Sequence, residues 1–98
     1  MIATIRRYKA QKGTLEEVGQ RVQAEFVPLL ARQPGFVSYT AVNMGDDNVM
    51  SVSVFLDRAA AEAANRAAAE WVKENIGDRV GQPEVTSAEV LATDRVEL

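Results

Sequence analysis

The chain has 98 residues, 14 acidic and 11 basic side chains for a formal net charge of −3, and neither a cysteine nor a histidine. That length fits one domain, 1–98, and a domain of this size buries only about 60–65% of its unfolded surface, so a partner subunit would add to a thin stability. The missing Cys and His exclude disulfides, thiolate nucleophiles, the usual zinc sites and a Ser-His-Asp arrangement, and no cofactor or metal is expected. Mixed charge without a Lys/Arg run points away from nucleic acid. No apolar stretch approaches the roughly 20 residues that span a bilayer, and the N-terminus runs from apolar Ile2 to basic Arg6-Arg7, the reverse of a secretory signal. A cytoplasmic location with no membrane contact is the expectation.

Ile2 to Tyr8 is rich in β-formers and ends in the polar break Lys9 to Gly13, which predicts a first strand. Thr14-Leu15-Glu16-Glu17 matches a capping box, with the Thr14 hydroxyl accepting from an early backbone N–H and Glu17 reaching back. In the helix that follows, Leu15, Val18, Val22, Phe26 and Leu29 form an apolar stripe. Pro28 removes the hydrogen bond to Ala24, which predicts a kink or a tightened last turn. Phe36 to Met44 and Val49 to Leu56 are strand-like and flank Gly45-Asp46-Asp47-Asn48, residues suited to a tight turn rather than to a calcium loop. If Met44 faces Val49, then Met50, Val52, Val54 and Leu56 join Val37, Tyr39 and Ala41 on the side that meets the helices. The other side then carries Phe36, Ser38, Thr40, Val42, Ser51, Ser53 and Phe55, too apolar for plain solvent exposure.

Asp57 can cap a second helix, whose charged arc runs through Glu62, Arg66, Glu70, Lys73 and Glu74. Its apolar arc centres on Ala60, Ala64, Ala67 and Trp71, and Gly77 falls just past the end. Val85 to Val96 reads as a long last strand. Strand, helix, strand, strand, helix, strand is the order of an α+β ferredoxin-like sandwich, a four-stranded antiparallel sheet with both helices on one face. Covering the bare face with the same face of a second chain predicts a homodimer of the α+β barrel type.

Ile2 to Lys9 followed by Lys12-Gly13, Gln33 to Tyr39 with its Pro34-Gly35-Phe36 turn, and Ser51 to Asp57 together resemble the antibiotic biosynthesis monooxygenase family of dimeric α+β barrels. Glu70 to Asn75 looks like a segment of small, uncharacterised members. The resemblance implies a cavity between helices and sheet, and activities such as cofactor-independent oxygenation of aromatic polyketides, quinol oxidation or haem degradation. Haem-degrading members use a His as iron ligand and an Asn on the first strand; with no His, and with Arg6 and Arg7 on that strand, this chain departs from them. The polyketide oxygenases use Asn, Trp, Tyr and Arg, types supplied here by Asn65, Trp71, Tyr39 and Arg6. Phe55 stands where many relatives carry Trp.

Each of these candidate ligand-binding residues also has a plain structural reading. Trp71, on an apolar helical arc, reads first as a core anchor, and Tyr39 as a strand tyrosine that packs with its hydroxyl at the rim. Asn65 lies at the edge of the apolar arc, where a buried amide needs a partner. Arg6 and Tyr8 share one sheet face, so Arg6 either meets an anionic ligand or pairs across the dimer with Glu89, the interface reading coming first. The Ala run of the second helix allows either close approach to the sheet or a pocket. Two functions follow as expectations: a protein that binds a small planar apolar or phenolic compound, as a cofactor-independent monooxygenase; or a non-catalytic dimeric structural or regulatory module. No residue is assigned as catalytic.

Overall fold

The structure, a computed structural model, describes residues 1–94. Its elements are β1 (Ile2–Lys9), α1 (Leu15–Arg21), a π-helical turn (Val22–Phe26), α2 (Val27–Ala31), β2 (Phe36–Gly45), β3 (Asn48–Phe55), α3 (Arg58–Asn75) and β4 (Glu84–Glu89). The strands form one antiparallel sheet in the order β2-β3-β1-β4. This is the expected α+β, ferredoxin-like arrangement, with β1 and β3 central. One core lies between the sheet and the helices: Ile2 and Phe55 from the strands, Val18, Val22, Phe26 and Leu30 from the first helical rod, and Ala61, Ala64 and Ala68 from α3.

The four buried residues of the first rod are spaced by four each time. In a regular α-helix each such step drifts by about 40° around the axis, so three steps would carry Leu30 well off the face of Val18. The wider turn over Val22–Phe26 takes up part of that drift. Pro28 therefore sits after a widened turn, not in a tightened last one: with no N–H to offer Ala24, it leaves the preceding carbonyls free to bond in the i→i+5 pattern. The capping box does not form either. The Thr14 hydroxyl donates to the Gln11 carbonyl at 2.7 Å, and Glu17 instead faces Arg79 at 3.4 Å. The cap of α3 is as expected, Asp57 accepting from the Ala60 amide at 2.8 Å.

The hairpin corrects the expected faces. Asp46 and Asp47 both have positive φ, 53° and 64°, so the turn has two residues and Gly45 pairs with Asn48. Asn43 then pairs with Val49, which leaves Met44 as an extra residue on β2, and Asn43 Oδ1 accepts from the Gly45 amide at 2.9 Å across this bulge. A slip of one residue exchanges the two faces of a strand. Val49, Ser51, Ser53 and Phe55 are accordingly buried toward the helices, and Met50, Val52 and Val54 are not. Tyr39 packs against the core as expected; Phe36 does so too, against expectation, edge-on to Phe55 at 5.8 Å between ring centroids. A second irregularity between Phe36 and Ser38 removes Val37 from the pairing.

The buried stripe of α3 is also rotated from the expected one, with Ala61, Ala64 and Ala68 at its centre and Trp71 at its margin. Gly35, at φ +79°, lets the loop before β2 touch the first turn of α3; a Cβ there would come within 2.9 Å of the Ala60 Cβ. The last strand is shorter than expected. β4 is an edge strand paired only with β1, whose first paired residue, Ile2, faces Glu89, so past Val90, which bonds to the Met1 carbonyl, no ladder continues. The end of the expected strand, through Val96, lies outside the described residues. Among those residues no helix is long and apolar enough to cross a membrane.

Candidate functional site

The strand parity that the bulge sets brings polar side chains under the helices. Alternate residues of β1 (Thr4, Arg6, Tyr8) lie opposite Ser53, Ser51 and Val49 of β3, and Tyr39 and Ala41 of β2 face Ser53 and Ser51 in turn. Above the β1 end, α3 presents only alanine methyls and can approach closely. It carries Asn65 near its middle and Trp71 and Val72 toward its C-terminus, with Ile76 just past its end, and between these, the sheet and the segment 77–85 lies a cavity of about 640 Å³.

Asn65 links the two layers. Its Oδ1 accepts from Arg6 Nη2 at 2.9 Å and its Nδ2 donates to Thr4 Oγ1 at 3.3 Å; the fully buried Thr4 hydroxyl lies in turn 3.0 Å from that of Ser87 on β4. Both ends of the amide are thereby held, which fixes its orientation and that of the guanidinium. Burial lowers the Arg6 pKa from its ordinary value, Tyr39 and Tyr8 partly opposing this. Burial pushes the Tyr8 hydroxyl up to about 12, with Tyr39 adding to the rise and Arg6 opposing it. Tyr39 is likewise raised by burial, against a hydrogen bond with Ser51 and the charge of Arg6. At neutral pH both phenols are therefore O–H groups that can donate.

The opposite wall is aromatic. Phe26 stands 5.4 Å from Tyr39, nearly edge-on, and 5.1 Å from Trp71. Trp71 is held from outside as well: Arg21 lies 5.9 Å over its ring, donates to the Asn75 carbonyl and side chain at 2.8 and 2.9 Å, and Asn75 Nδ2 bonds back to the Trp71 carbonyl.

Arg6, Tyr39, Asn65 and Trp71, the four residues singled out in the sequence, all line this one cavity. Two of the structural readings change. Trp71 is half-buried and forms a wall, instead of anchoring the core centre, because the Ala stripe of α3 turns it to the margin. Arg6 points under the helices to Asn65, so it cannot reach across the free sheet face to Glu89, which lies opposite Ile2. Tyr8, Thr4 and Ser51 were not singled out as site residues. The alternation that pairs Tyr8 with Arg6 marks Thr4 and Tyr8 equally, but Ser51 became legible only with the hairpin register. No group of three His, Cys, Asp or Glu side chains that could hold a metal ion occurs among the described residues.

A four-stranded antiparallel sheet with its helices on one face defines an α+β, ferredoxin-like class of protein. A family model described as antibiotic biosynthesis monooxygenase matches residues 1–70, and the chain belongs to that family. The match ends on α3, one residue before Trp71. Among solved structures, a protein of unknown function from Nitrosomonas europaea has a TM-score of 0.84 at 20% identity, over 98% of this chain and 94% of that one. A variant of SnoaB, a cofactor-independent oxygenase from Streptomyces nogalater, has a TM-score of 0.76 at 21% identity over 94% of each chain. The Mycobacterium tuberculosis protein Rv0793 has a TM-score of 0.75 at 15% identity over 96% of this chain and 98% of that one. These likenesses are likenesses of fold. Comparison with curated proteins gives no sequence match.

Proposed function

We propose that this chain binds a small planar aromatic compound in the cavity under α3 and oxygenates it without a cofactor. The observation that carries the reading is the convergence of Arg6, Tyr8, Tyr39 and Asn65 at one end of an aromatic-walled space. The SnoaB fold supports it as an analogy.

The chemistry follows from what the cavity contains. Among the described residues no Asp or Glu lines it, and its two phenols are held protonated, so a general base with a pKa near 7 is not among these buried groups. The substrate must be acidic in its own right, as an anthrone or a hydroquinone is. Loss of a proton from an anthrone methylene leaves a delocalised anion with its charge on the phenolate oxygen. That anion reduces O2, the resulting hydroperoxide loses water, and the net change is CH2 plus O2 to C=O plus H2O. The role of the protein is to stabilise the developing oxyanion with fixed donors and to hold the ring plane between Trp71 and the sheet.

A second copy would cover the other face of the sheet, where Ile5, Val52, Val54 and Val42 lack a covering layer among the described residues. The lack of a buried base also favours a second reading, a dimeric module that binds its ligand without turnover. Oxygen consumption with a panel of anthrones and hydroquinones separates the two. Turnover above the spontaneous rate is expected, falling at least tenfold in an Asn65→Ala, Tyr39→Phe double variant. Equal rates for wild type and double variant would remove these residues from the chemistry, and a rate no higher than without protein would leave the binding module.

A further inference from the structure

The charge of the cavity does not balance. Arg6 and Lys73 line it and, among the described residues, no carboxylate does, in a chain whose acidic residues outnumber its basic ones. Lys73 is exposed and solvated, whereas Arg6 is half-buried beneath α3, and its hydrogen-bond partner is the neutral amide of Asn65. A guanidinium removed from water is costly unless an anion meets it. A guanidinium has five N–H donors, and the bond to Asn65 uses only one of them. The groups nearest to it electrostatically, Tyr8 and Tyr39, are phenols that stay protonated and so add further donors rather than a counter-charge. The polar end of the cavity is thus a set of donors around a cation.

We propose that the cavity selects planar aromatic ligands that already carry an ionised acid group, a carboxylate above all, seated on the guanidinium of Arg6. This rests on the reading of the cavity as an aromatic pocket and narrows it from neutral phenols to aromatic acids. The planar fork of Arg6 suits the two oxygens of a carboxylate, with the Tyr8 and Tyr39 phenols beside it in the same cavity. A neutral phenol offers a single oxygen and leaves the charge of Arg6 unmatched.

The experiment uses a matched pair of probes, 2-naphthoate and the uncharged 2-naphthamide, titrated calorimetrically into wild type, Arg6→Gln, Arg6→Lys and Lys73→Gln at neutral pH and low salt. Naphthoate is expected to bind wild type about 10- to 100-fold more tightly than naphthamide, the range of a charge-assisted hydrogen bond. In Arg6→Gln the preference should fall to within about twofold while naphthamide affinity is kept; Arg6→Lys should keep part of it, and Lys73→Gln nearly all. Equal binding of the two probes to wild type overturns the inference and leaves the aromatic pocket standing, whether or not the variants fold. Loss of the preference in Lys73→Gln but not in Arg6→Gln overturns the assignment to Arg6. Failure of both probes to bind overturns the pocket itself and the inference with it.

Discussion

The two faces of this sheet carry the reverse of what burial alone would assign. Under the helices lie Thr4, Arg6, Ser51 and Ser53, with Ile2 and Phe55 closing the end from which α3 departs; on the uncovered side lie Ala3, Ile5, Val52 and Val54. Along the covered face the apolar pair Ile2 and Phe55 is followed by the fully buried Thr4 and Ser53, and then by Arg6 and Ser51 where the cavity opens. The difference teaches that alternation reports which residues share a face, whereas which face is the interior depends on what each has to meet.

The largest test of that contrast sets one residue from each face side by side. Phe55 is fully buried, so Phe55→Ala is expected to cost about 3–5 kcal/mol in urea denaturation. Val52→Lys on the other face should leave the fold of the single chain intact and convert the proposed dimer to monomer in sedimentation velocity. A Val52→Lys protein that stays dimeric would place the interface elsewhere. Smaller effects should distinguish the buried hydroxyls. Thr4→Val removes the acceptor of the Asn65 amide, while the exposed Ser87 hydroxyl can turn to water, and is expected to cost about 1–3 kcal/mol. Ser53 Oγ is buried with no hydrogen-bond partner among the described residues, so Ser53→Ala should stay within about 0.5 kcal/mol of wild type.

A subtler effect concerns the buried phenol of Tyr8. Its folded pKa, about 12, is above the ordinary 10, so between these values the folded chain holds a proton that the unfolded chain has lost. The contribution is fully present below pH 10 and is lost as pH rises through 12. Stability should therefore decline across that window in wild type, and less steeply in Tyr8→Phe, measured by denaturation at stepped pH alongside the ultraviolet titration of the phenols. Equal slopes would mean that Tyr8 titrates as a solvated phenol.

Much of this architecture was legible because local chemistry determines it. The order of elements, the Asp57 cap, the hairpin at Gly45 to Asn48 and the Val18, Val22 and Phe26 stripe follow from propensity and period, and the four candidate site residues do share a cavity. What was misread depends on small displacements that composition does not record. One extra residue at Met44 exchanged the faces of β3 and moved Ser51 and Ser53 from the expected free side to the interior. Pairing Met44 with Val49 likewise turns Met50, Val52 and Val54 toward the helices, whereas the observed partner of Val49 is Asn43. The widened turn before Pro28 and the short β4 were out of reach for a related reason: one answers to packing against the core, the other to where β1 begins.

The single tryptophan of the chain, Trp71, lines the cavity, so its fluorescence reports on that site alone. Titration with a planar aromatic such as an anthrone, followed by the tryptophan lifetime so that ligand absorbance does not intrude, tests most directly whether the space under α3 is a binding site. A saturable shortening of the lifetime, absent in the Asn65→Ala, Tyr39→Phe variant, is the predicted result. A lifetime that stays constant, or that falls linearly without saturation as it would by collision in solution, would contradict it.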